Sequence, residues 1–126
     1  MPEPSADKRD VARTLGKLHS SGGAKDFNGF VAKSINETIA ALLGQEVVEA
    51  LRLHLRRNYD IVEDELSYRL DVVASALEKN FGERPGKTIW KAIARRLYDK
   101  LGFAFAEMQN YSLRDYVEAA KEKLAR

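Results

Sequence analysis

The chain has no cysteine at all, so disulfides, thiolate catalysis and cysteine-based zinc sites are excluded together. It has only two histidines, His19 and His54, in separate segments, which leaves little material for a histidine-based metal centre or a nucleophile–base pair. No apolar run approaches the roughly 20 residues that span a bilayer. The N-terminal Met1-Pro-Glu-Pro-Ser-Ala-Asp-Lys-Arg lacks the apolar stretch of a secretory signal, so a cytoplasmic protein with no membrane association is expected. A strong net charge is missing too: 21 Lys and Arg face 19 Asp and Glu, for +2. Real nucleic-acid modules are usually more basic than that.

What is present is helical periodicity. A chain of 126 residues, 44% hydrophobic and 32% charged, suffices for one domain with its own core. Residues 1–26 stand apart: Pro2, Pro4 and Ser5 open a polar stretch, and Ser20-Ser21-Gly22-Gly23 reads as a flexible linker. Between them Val11, Leu15 and Leu18 recur at helical spacing and predict a short, three-residue-deep helix face. The body, residues 27–126, predicts an all-α fold: a compact bundle of about five short helices behind a flexible N-terminal segment.

Each helix carries its own signals. Phe27, Phe30, Val31, Ile35, Ile39, Leu42 and Leu43 form the first face, with Gly44 placed to stop it in the left-handed conformation. Val47, Val48, Leu51, Leu55 and Tyr59 form the second, stopped by Asn58-Tyr59-Asp60. Leu66, Leu70, Val73, Leu77 and Phe81 form the third, closed by Gly82. The fourth starts near Pro85, suited to a first turn where its missing amide has no partner, and buries Ile89, Trp90, Ile93, Ala94, Leu97 and Leu101. Phe103-Ala104-Phe105 predicts an extended connector. Ser112 as N-cap, Asp115 three residues on and a Tyr111–Tyr116 staple mark the fifth start. Trp90, Leu97, Leu77, Phe81, Leu51 and Ile39 are the expected centre of the core.

Three blocks carry a likeness. Leu43-Gly-Gln-Glu-Val-Val-Glu-Ala-Leu-Arg-Leu-His-Leu, Ala76-Leu-Glu-Lys-Asn-Phe-Gly and Leu97-Tyr-Asp-Lys-Leu-Gly resemble a small all-helical archaeal family, the output domain of Nitrosopumilus-type genomes, over about residues 35–126. The motifs are apolar and glycine positions, and the chain is more acidic than the family pattern between Asp60 and Arg69. The resemblance implies a signal-transduction or regulatory output module with no enzymatic residues to carry over.

The chemistry-bearing candidates are few. His54, at the edge of the second apolar arc, reads as a packed or interface histidine. Glu63-Asp64-Glu65 lacks the spacing of a calcium loop and suits a solvated helix start. No glycine group forms a phosphate loop. Charge is distributed unevenly: residues 61–83 set six acids against two bases, net −4, and residues 84–100 set six bases against one acid, net +5. Arg84, Lys87, Lys91 and Arg95 fall within about 80° of a helical projection, with Tyr98 in the same sector. Such a stripe could grip phosphates and stack a base, extended by Arg52 and Arg56 if the second and fourth helices lie side by side. The near-neutral chain favours a plainer account, a solvated face paired with the acidic third helix. The leading functional expectation is therefore a non-enzymatic regulatory module. It would act through a protein partner or self-association, using Leu53 and the Val11/Leu15/Leu18 face, with no cofactor and no small-molecule substrate. Nucleic-acid binding through the basic face is the alternative.

Overall fold

A computed structural model describes residues 23–125. Five α-helices, one 3-10 helix and no strand make up the described residues: α1 Gly23–Leu43, α2 Gln45–Tyr59, the 3-10 helix Glu63–Tyr68, α3 Leu70–Phe81, α4 Glu83–Leu101 and α5 Leu113–Ala125. The all-α architecture follows from the apolar spacings. The N-terminal Val11/Leu15/Leu18 face, His19 and the flexibility expected of the linker lie outside the described residues.

Several boundaries form as their residues dictate. Asp60 caps α2 in the left-handed region (φ 56°, ψ 40°), and the Ile61 amide reaches back 3.2 Å to the Leu55 carbonyl while its side chain is buried. Gly102 ends α4 at φ 77°, ψ 19°. At α5 the reciprocal box closes: the Asp115 amide donates to Ser112 Oγ at 3.2 Å and the Ser112 amide to Asp115 Oδ2 at 3.0 Å. Tyr111 and Tyr116 meet edge to face with centroids 5.1 Å apart.

Other boundaries correct the expectation. Gly44 links α1 to α2 at φ 100°, ψ 158°, a glycine-only region distinct from the left-handed helical one, because α2 resumes one residue later and the chain must reverse in that single step. α1 begins at Gly23, four residues ahead of Phe27, since amides of a first turn have no helical partner and glycine costs little there. The third helix is split. Leu66 sits in the 3-10 helix, Arg69 breaks the run at φ −124°, ψ 43°, and α3 starts at Leu70. Both leucines still face the core, because a 3-10 turn plus a bend delivers the same inward spacing as one helical turn.

α4 is the central element, packing on α3, α1 and α5, while α1 also packs on α2 and the 3-10 helix. Trp90, Leu97, Leu77, Leu51 and Ile39 are buried as expected; Phe81, in the last residue of α3, is only half-buried. Full burial of a leucine-sized side chain contributes about 1.5–3 kcal/mol. The α3–α4 contact is close enough that Gly86 lies against the backbone of Glu78. One turn further along α4, Trp90 Nε1 donates to Glu78 Oε2 at 2.9 Å. No helix among the described residues is long and apolar enough to cross a membrane.

Candidate functional site

The side of α4 turned toward α1 brings several polar and charged side chains together. Thr88, Lys91, Ala92, Arg95, Arg96 and Asp99 recur at helical intervals, so they share one face about three turns long. Thr38 and Leu42, one turn apart on α1, form the facing wall. Together they enclose an open groove of about 620 Å³. Leu42 is 52% exposed there, although its place in the apolar pattern predicts core.

Each cation on this face has a defined setting. Lys87 Nζ pairs with Glu83 one turn back at 3.2 Å. Lys91 Nζ meets Glu107 Oε2 of the connector at 2.6 Å. That hydrogen bond holds the Glu107 carboxyl below its ordinary value of 4.5 and lifts the Lys91 ammonium above 10.5. Arg96 Nε donates to Thr38 Oγ1 at 3.1 Å, and its Nη1 lies 3.8 Å from Glu37, which also takes Lys100 at 2.8 Å. Arg95 is exposed and makes no salt bridge among the described residues; its guanidinium carbon sits 5.3 Å from the centre of the Phe105 ring. A cation over an aromatic face is held by the ring quadrupole, which leaves its hydrogen-bond donors directed outward. Arg84 is exposed at the start of the helix, its carbonyl accepting the Thr88 hydroxyl at 3.1 Å.

The connector is strapped down beside this face by aromatic rings and one hydroxyl. Tyr116 Oη accepts the Met108 amide at 2.8 Å and donates to the Met108 carbonyl at 3.1 Å. Phe105 packs between Tyr116 (5.1 Å) and Tyr98 (5.4 Å). Lys123 of α5 lies 5.4 Å from the Phe103 ring.

This geometry corrects three expectations. Tyr98 is no base-stacking platform: it is 5% exposed, ringed edge-on by Phe103, Phe105 and Tyr116, and its hydroxyl donates to the Tyr116 carbonyl at 2.7 Å. Burial accordingly raises its phenol pKa above 10.0. Arg52 and Arg56 do not extend the stripe, because α1 packs on both α2 and α4 and those two share no extended contact. Arg52 instead pairs with Glu49 at 3.6 Å, and Arg56 is exposed on α2. The α4 cations do not pair with the acids of α3 either. Asp71 bonds Arg114 of α5 at 3.2 Å and Glu78 accepts from Trp90, so Glu37, Glu83 and Glu107 neutralise α4.

Elsewhere the candidates stay apart. Leu53 is 46% exposed on the outer side of α2, where its position opposite the apolar arc puts it. His54 is half-buried, its Nδ1 3.0 Å from the Asn58 amide nitrogen and its ring against Tyr59. Glu65 bonds back to the Val62 amide at 3.1 Å as a helix-start residue. No group of three or more histidines and carboxylates with metal-binding geometry occurs among the described residues. Sequence reasoning missed Glu37, Thr38 and Glu107. The signal for the first two was the pair Ser34 and Thr38, polar residues one turn apart on the inward side of α1, both buried; Glu107 gave none. No family model, curated protein or solved structure matches this chain.

Proposed function

We propose that this chain is a non-enzymatic regulatory or signal-transduction output module that works through protein contacts. The observation that carries the reading is the α1–α4 groove. It combines an exposed leucine and an alanine with three cations, the mixture of apolar area and peripheral charge on which protein partners dock. The resemblance of residues 43–55, 76–82 and 97–102 to an output-domain family rests on their sequence alone and implies the same role.

The test is light scattering over a concentration range together with an affinity pull-down, using wild type and Leu42→Glu. Self-association or a retained protein that the variant loses is the expected result. A strict monomer that retains nothing sinks the proposal. Nucleic-acid binding is the competing outcome. Four of the α4 cations, Lys87, Lys91, Arg96 and Lys100, are already matched by Glu83, Glu107 and Glu37, and Tyr98 is buried, which weakens both the phosphate track and the stacking platform it needs. Labelled duplex and single-stranded DNA titrated at low and moderate salt should show no binding that a Lys87/Lys91/Arg95→Glu variant abolishes. Steeply salt-dependent binding lost in that variant would replace the protein-contact reading.

A further inference from the structure

The α1–α4 groove also has a shape and a charge order that specify its occupant, granted that the module works through protein contacts. From Thr88 to Asp99 the α4 wall is one uninterrupted helix face, about 16 Å long at the α-helical rise. A wall of that length, facing Thr38 and Leu42 on a second helix, matches roughly three turns of a third helix laid along the seam. A flexible loop would leave the regular spacing of the wall unused.

Charge then selects the kind of helix. Lys91, Arg95 and Arg96 line the groove against a single carboxylate, Asp99. Lys91 and Arg96 already have internal partners, so a polyanion finds no continuous track of free cations. Arg95 is different. With its guanidinium over Phe105 and no salt bridge among the described residues, it offers a planar, pre-oriented fork of the kind that takes a carboxylate through two parallel hydrogen bonds. Leu42 and Ala92 supply the apolar contact. We infer that the α1–α4 groove seats an acidic amphipathic helix of a partner protein, its apolar stripe on Leu42 and Ala92 and a carboxylate on Arg95.

The experiment is a selection from a displayed library of random peptides long enough for three helical turns, about 11 residues. Intact protein is the bait, and recovered peptides are then titrated by fluorescence anisotropy. Wild type, Arg95→Glu, Leu42→Glu and, on the outer face of α2, Arg57→Glu are compared after circular dichroism has verified their helix content. The expected peptides are enriched in Asp and Glu, with apolar residues at i, i+3 and i+4. They weaken about tenfold or more on Arg95→Glu, lose affinity on Leu42→Glu and with added salt, and ignore Arg57→Glu. Recovered peptides with no acidic bias, or acidic ones indifferent to both groove variants, overturn the assignment while leaving a protein-contact function standing. Duplex DNA that displaces the peptides at lower concentration than they bind also overturns it. Should nothing be recovered from a protein that is a monomer and retains no partner, both readings fall.

Discussion

Gly86→Ala separates two arguments that give opposite signs. Local propensity says the substitution helps, because alanine is favoured over glycine by about 1 kcal/mol in a helix interior. The structure says it hurts. A Cβ built on Gly86 falls 2.5 Å from Glu78 Cα and 2.7 Å from Glu78 N, distances real Cβ atoms do not adopt, and the obstruction is backbone that no rotamer change relieves. Overpacking of a tight core contact costs about 1–3 kcal/mol, and a backbone obstruction belongs at the upper end. Subtracting the propensity gain leaves a net destabilisation of about 2 kcal/mol, a fall in melting temperature of about 8 °C for a domain of this size. Separation of α3 from α4 also lengthens the Trp90–Glu78 hydrogen bond, so the single tryptophan reports the change by fluorescence. Urea unfolding followed by circular dichroism and by that fluorescence measures the effect. Gly29→Ala in α1 is the matched control: nothing lies within 4 Å of its added Cβ, so it should stabilise by about 0.5–1 kcal/mol. A Gly86→Ala protein as stable as wild type would refute the close α3–α4 approach.

Two further substitutions probe the connector. Tyr116→Phe removes the hydroxyl that serves both polar groups of Met108, and should cost about 1–3 kcal/mol with faster amide exchange at Met108; unchanged exchange there would contradict the strap. In a carboxyl NMR titration, Glu107 should titrate below 4.5 in wild type and return toward that value in Lys91→Met. Because the folded-state value is depressed, this stabilisation is present above the unfolded carboxylate value and lost as pH falls through the folded one. At the other end, the raised Lys91 value means its share is complete below 10.5 and disappears as pH rises past the folded value. Both groups are solvent-accessible, so the titration midpoint is the readout and the effect on unfolding is small.

The helices were legible wherever their signals are local. The Ser112–Asp115 box, the Gly102 stop and the Asp60 end of α2 depend on residues within a turn or two of one another, and they formed as written. The 3-10 segment was not, since Leu66 and Leu70 keep a spacing that a continuous helix and a broken one share. Nor was the groove. Leu42 belongs to an apolar face of seven residues on α1, and only the packing of α1 on α2 and α4 decides which of them stays in water. Tyr98 failed for a related reason: a helical projection places it beside Lys91 and Arg95, but residues 103–105 fold back over it. The pairing of Lys91 with Glu107 spans 16 positions that no periodicity relates.

The hydroxyl of Tyr116 gives the last helix a hold on a surface that it does not itself line. Tyr116 belongs to α5, yet its oxygen fixes Met108, next in the chain to Glu107 and three residues from Phe105. Those two residues in turn position Lys91 and Arg95 on the wall of the groove. Loosening of α5 would therefore release both the carboxylate that neutralises Lys91 and the ring that seats Arg95. Attachment of the C-terminal helix and the electrostatic character of the groove are thus one property of the molecule, read at two places.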